Sequence, residues 1–407
     1  SFSITGYRGG AYGRLWNNDI TGEVTIADDA SYGGAFNTSI RNNIITGNSI
    51  FSNNGFNTFL EADVAGTGNV FNGNASFNAA GGPVYISHLD ASQCSGNLSI
   101  TRTVAGLTQA FNAGGTVTGN FAFINNAGGA TALGSTGITT SIGGTVTISA
   151  NYITPDVFTL FRLVNQITGG TIAVQNSMGF DLRNDTLKVD SLKITGYRTG
   201  AYGRLWNSDI TGNIVIADDA SYAGGFNTSI WSNSITGNSS FTNNGFNIFY
   251  DANVAATGNK YTGDVSYTRT GGTITVAAGD INEITQNLTL NSTIGIGLGR
   301  IKFTGATNGV IEQEGIQPID IAQLSLEKSG SATVTLNDSV SVSTTAIFTS
   351  GYLFSSSTNK LKFLNNATNS GASDASFVVG PVTKIGNDAF TFPIGKNNTY
   401  APISITA

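Results

Sequence analysis

Short runs in which apolar and polar residues alternate recur along the whole chain, each entered from a glycine or a small polar residue. Gly22 precedes EVTI, Gly47 NSIF, Gly73 NASF, Gly96 NLSI, Gly119 NFAF, Gly144 TVTI and Gly170 TIAV; Ser191 then precedes LKI and Gly212 NIVI. The period of two marks each run as a strand with one buried face. Each run is too short to bury that face by itself. The spacings from Gly22 onward are 25, 26, 23, 23, 25, 26, 21 and 21 residues. Together they equal the 190-residue offset of a longer repeat: ITGYR at 4–8 returns at 194–198, AYGRLWN at 11–17 at 201–207, and IADDASY at 26–32 at 216–222. About two-thirds of positions match between residues 1–77 and 191–267. The long repeat is therefore eight short ones.

Stacking successive windings ~4.8 Å apart pairs their backbones and buries their inward side chains. In VTI at 24–26, Val24 and Ile26 point inward and Thr25 outward. The spacing predicts an all-β chain, a right-handed parallel β-helix (β-solenoid) of ~24-residue coils. An antiparallel sandwich array is the alternative if the turns are hairpins. Glycine at the corners is expected to supply positive φ. The asparagines that follow it in TGN are expected to stack as ladders between coils. Three segments follow: a first eight-coil repeat at 1–190, a second, diverged repeat with its continuation at 191–374, and a C-terminal cap, or the start of a β-sandwich, at 375–407. Pro381, Pro393 and Pro402 lie in the last segment, and proline is unwelcome inside a central strand.

Composition narrows the function. The 407 residues hold 19 Lys plus Arg and 25 Asp plus Glu, a net charge of −6, with 53 glycines. An acidic balance without a basic cluster leaves no nucleic-acid footprint. No apolar run is long enough to span a membrane as a helix. Cys94 and His88 are the only residues of their kinds, which excludes an internal disulfide and a Cys/His zinc site. A chain that opens on Ser1 with no signal segment reads as part of a longer precursor.

The final residues, SFVVGPVTKIGNDAFTFPIGKNNTYAPISITA at 376–407, with TVTLNDSVSVSTTAIFTSGYLF at 333–354 before them, resemble a segment of large secreted Bacteroidota cell-surface proteins. That resemblance covers residues 320–407. It implies a β-solenoid exported as type IX secretion cargo, extracellular or at the cell surface, in an adhesin, stalk or filament. It also implies O-glycosylation at Asp-(Ser/Thr)-apolar triplets, here at Thr186, Ser191 and Ser339.

Candidate chemistry is sparse. Parallel β-helices host polysaccharide lyases and hydrolases, but a glycosidase needs two carboxylates flanking one bond. The adjacent pairs Asp28-Asp29 and Asp218-Asp219 point to opposite faces of a strand. Both occur in repeated copies, and the chain is read as non-enzymatic, without cofactor. The same pairs are the weak Ca²⁺ candidates; the competing reading has Asp28 and Asp218 capping turns by accepting backbone N–H bonds. GYRGGAYGRLW presents Tyr7, Tyr12 and Trp16 with Arg8 and Arg14, and its second copy presents Tyr197, Tyr202 and Trp206. These aromatics are either packed loops or a glycan or partner contact. Open solenoid ends expose strand edges, so self-association or pairing with other surface-protein segments is expected.

Overall fold

The computed structural model describes residues 1–8, 13–31, 37–198, 200–221, 227–245 and 247–406. The described residues form strands and turns without a helix, and none could cross a membrane as a helix. The chain divides into two compact units, Ser1–Asn213 and Ile214–Ala407. The division falls one coil beyond the repeat border at 190.

Each unit is a parallel β-solenoid with three faces per coil. In the first unit, Val24, Ser49, Ala75, Leu98, Phe121 and Val146 pair in unbroken parallel register along the first face. Gly13 pairs with Thr38 and Thr38 with Phe59 on the second face. On the third, Ile20, Ile45, Phe71, Cys94, Val117 and Ile142 follow one another. The inward file Ile26–Phe51–Phe77–Ile100–Phe123–Ile148 is buried throughout. Phe51 and Phe77 stack with centroids 5.1 Å apart, and Phe71 meets Phe77 edge-on at 6.1 Å. Offset and edge contacts suit the ring quadrupole. In the second unit Ile214, Ser239, Val265 and Leu288 continue the first-face pattern, and Phe241 stacks on Tyr267 at 5.5 Å.

The corners meet the sequence expectation in part. Gly22, Gly170 and Gly212 have the expected positive φ, whereas Gly47, Gly73, Gly96 and Gly119 align in a row without it. They are glycine because coils touch there: a Cβ at Gly96 would lie 2.6 Å from the Gly73 carbonyl oxygen, and one at Gly119 2.6 Å from that of Gly96. A file of left-handed non-glycine residues sits at another corner, between the second and third faces: Asn17, Asn42, Ala62, Ser87, Phe111, Arg162, Asn184 and Asn207 in the first unit. Asparagine tolerates that conformation; Phe111 and Arg162 hold it only because coils on both sides fix it.

A ladder forms at the TGN asparagines, running from side-chain oxygen to backbone N–H rather than from amide to amide. The side-chain oxygens of Asn48, Asn74 and Asn97 accept from the backbone N–H of Asn74, Asn97 and Asn120 at 3.1, 2.8 and 2.8 Å. Parallel winding continues further than the expected boundary at 375. Ser376–Val379 pairs with Gly351–Phe354, and Val382–Lys384 with Leu361–Phe363. The antiparallel strand pairs lie beyond, Phe390–Phe392 with Ile403–Ile405 and Gly395–Lys396 with Thr399–Tyr400.

Candidate functional site

The aromatic and arginine side chains of the first repeat collect on the outward side of the second face. Trp16 lies on the strand Gly13–Trp16, opposite Arg41 of the next coil. The guanidinium groups of Arg14 and Arg41 each sit 4.4 Å from the Trp16 centroid. Arg41 also grips Asp63 with two bonds, 2.6 and 2.7 Å, and Ser39 joins the Trp16 indole N–H (3.1 Å) to Asp63 (2.9 Å). Partial burial works against the Asp63 charge, but Arg41 and Ser39 hold its carboxyl below the ordinary range. Near the end of the same unit the motif recurs. Arg183 and Arg204 lie 4.8 Å from the Trp206 centroid, and Arg204 3.9 Å from that of Tyr202. Asp181 binds Arg183 at 2.5 Å and Arg204 at 3.4 Å. Guanidinium groups thus lie against the indole rings that a sugar would stack upon.

The tyrosines divide. Tyr12 lies outside the described residues. Tyr7 is half-buried with its hydroxyl on Thr38, and burial pushes it up to about 12. Tyr197 is a correction to the contact expectation: it is 1% exposed and meets Phe180 edge-on at 4.8 Å, because its side chain turns into the core.

The acid pairs do cross-coil work. Asp28 accepts from the backbone N–H of Asn54 (2.5 Å) and Gly55 (3.1 Å) on the next coil, and Asp218 does the same with Asn244 and Gly245. Burial raises both carboxyls, and those N–H groups pull them back. Asp29 and Asp219 each cap a turn through the Ser31 or Ser221 backbone N–H, at 2.9 Å. Among the described residues no group of three or more His, Cys, Asp or Glu side chains is placed to hold a metal.

Of the triplet hydroxyls, Thr186 and Ser191 are half-exposed within a strand. Ser339 donates to the Thr358 carbonyl and accepts from Lys360, tying two coils. Cys94 is buried in the third-face file. His88 meets Tyr85 with centroids 4.6 Å apart and planes tilted by 58°, beside Asn112, which donates to Gln109 at 2.9 Å.

Sequence reasoning passed over the buried charges. Glu61 pairs with Ile40 in an otherwise aliphatic inward file and is fully buried. It accepts from Asn69 Nδ2 (2.5 Å), Ser92 Oγ (2.5 Å) and the Ser87 N–H (2.6 Å). Asp251, its counterpart one long repeat later, accepts from Asn259, Asn282, Tyr261 and Tyr267 at 2.5–2.7 Å. Arg102 is fully buried and bonds four carbonyls and Thr108, while Lys328 bonds the carbonyls of Thr285 and Thr304. Burial lowers Arg102 to about 10 and Lys328 to about 8. One signal was available: both repeats place an acid at an inward position, in FLEAD and FYDAN.

Comparison with known protein families, with curated proteins and with solved structures finds no match.

Proposed function

We propose that this chain is a structural segment of an extracellular surface or filament protein, a β-solenoid that gives reach and a repeated surface. One observation carries the reading: the side chains that composition would nominate for chemistry are spent on joining coils. Asp28, Asp218, Glu61 and Asp251 accept donors from neighbouring windings, and Trp16 and Trp206 are stacked with arginines. In such an array each coil stabilises its neighbours. The resemblance of residues 320–407 to secreted Bacteroidota surface proteins supports the location. The test replaces Trp16 and Trp206 by Ala. The expected result is a lower melting temperature and faster proteolysis, with cell-surface adhesion falling only as far as the folded fraction falls. Full stability with lost adhesion would overturn the reading.

A carbohydrate-binding adhesin is the second reading. It is favoured by the Tyr85–His88 ring pair, outward on the second face beside the Gln109 and Asn112 amides. An aromatic face bordered by amides suits a sugar ring. Glycan-array binding by the intact chain that disappears in Tyr85→Ala would establish it.

A further inference from the structure

A buried row of amides runs along the left-handed corner of the solenoid. Asn43 and Asn69 each donate a side-chain N–H to a carbonyl of the preceding coil, Leu15 at 2.8 Å and Ile40 at 3.1 Å. Asn259 repeats this with Ile230 at 2.8 Å. In every case the acceptor lies two residues before that coil's left-handed residue: Asn17, Asn42 or Ser232. The side-chain oxygens of Asn43, Asn69 and Asn259 accept a backbone N–H from the previous member of the row. Each amide thus needs both halves, an acceptor and a donor.

Asp185 occupies this row. It follows left-handed Asn184, is 1% exposed, and its own N–H donates to Ser208 Oγ, a row neighbour. Its Oδ1 accepts the Leu163 N–H at 2.9 Å, as an amide oxygen does. Its Oδ2, the counterpart of the asparagines' NH₂, is buried and has no hydrogen-bond partner. The matching carbonyl here is that of Leu160, two residues before left-handed Arg162. An ionised carboxylate has no hydrogen to donate to such a carbonyl.

We infer that Asp185 is a neutral carboxylic acid in the folded protein, its Oδ2–H serving as the missing amide donor of the row. The surrounding charges do not oppose this. Asp181, on the same coil, is occupied by Arg183 and Arg204. Lys188 reaches Gln166, and Arg162 on the preceding coil and Asp209 on the following one form no ion pair with Asp185. Burial pushes the Asp185 carboxyl well above its ordinary 3.8, the Leu163 and Arg183 N–H groups offset part of that, and Asp181 adds to it. The coil is therefore a proton-dependent latch. The folded state keeps a proton that the unfolded chain releases, so the latch contributes fully below 3.8 and weakens as pH rises through the folded value.

The test compares the full chain with Asp185→Asn, which supplies the amide directly. The expected variant melts above the parent at mildly alkaline pH, and the gap closes toward acid. In neutral solution the parent-minus-variant infrared spectrum shows a carboxylic-acid C=O band. Asp185→Ser, which keeps a hydroxyl as Ser208 does, lacks that band and loses the parent's pH dependence. An Asn variant that melts lower or fails to fold overturns the inference, as does a difference spectrum with only carboxylate bands.

Discussion

The two repeats solve one problem in two ways. In the first unit the buried acid is Glu61, among Phe71, Phe77 and Ser92; in the second it is Asp251, among Tyr261, Tyr267 and Asn282. The longer acid reaches the Ser87 backbone N–H and a short serine, and leaves both rings hydrocarbon. The shorter acid cannot, and two phenol hydroxyls and a longer amide come to it instead. Asn69 and Asn259 are common to both. Four changes have compensated one another while the coil kept its register. The acid is thus part of how these coils recognise each other.

Removing the acid breaks the comparison most severely. Asp251→Ala leaves two amides and two hydroxyls facing a void, and Glu61→Ala leaves three donors. Each is expected to cost ~3 kcal/mol or more, because every buried donor left unsatisfied costs roughly 1–3 kcal/mol. The loss is read from chemical denaturation of each variant. Near-equal effects at the two sites would show that the fourth donor at Asp251 adds nothing.

Exchanging the acids is gentler and more diagnostic. Glu61→Asp draws the carboxylate away from Ser87 and Ser92, while Asp251→Glu crowds two tyrosines. Each is expected to cost ~1–3 kcal/mol, in the range of ordinary core substitutions. Adding Phe71→Tyr, Phe77→Tyr and Ser92→Asn to Glu61→Asp rebuilds the second nest in the first unit and recovers most of the loss. That recovery is a coupling between neighbours, measurable by a mutant cycle. A combined variant no better than the sum of its parts would mean the two nests differ for reasons unrelated to donor supply.

Much of this architecture was legible. The alternation in EVTI and NASF, and the returning glycines, gave the strands, the winding and the row of corners, because each is a local demand repeated in every coil. The reason for Gly47, Gly73, Gly96 and Gly119 was not legible. Gly96 is required by the coil beneath it, which lies 23 residues away in sequence, rather than by its own φ. Phe111 and Arg162 adopt left-handed backbone that neither residue type announces. Surface aromatics drew attention as contacts, yet Tyr197 turned inward. FLEAD and FYDAN stayed silent because an acid at an inward position looks like a break in the strand until its donors, supplied from other coils, are seen.

The smallest change tests whether donor number sets the state of the acid. Tyr261→Phe removes one hydroxyl, at 2.6 Å from Asp251, and leaves three donors, the number Glu61 has. The expected loss is ~1 kcal/mol, the net value of one hydrogen bond, because the phenyl ring fits the hydrocarbon setting that Phe71 already occupies in the first unit. The pH profile carries more information than the loss. Burial raises the Asp251 carboxyl above its ordinary 3.8, and Tyr261, Tyr267, Asn282 and Asn259 each pull it back. With a raised value the folded state holds a proton that the unfolded chain gives up. The stability linked to Asp251 is therefore greatest below 3.8 and declines as pH climbs through the folded value. Losing one donor moves that value further up, so Tyr261→Phe should stretch the decline to higher pH, visible as melting temperatures that converge with the parent's in acid and separate toward neutrality. A constant gap across the same range would mean that the hydroxyl packs beside the carboxylate without stabilising its charge.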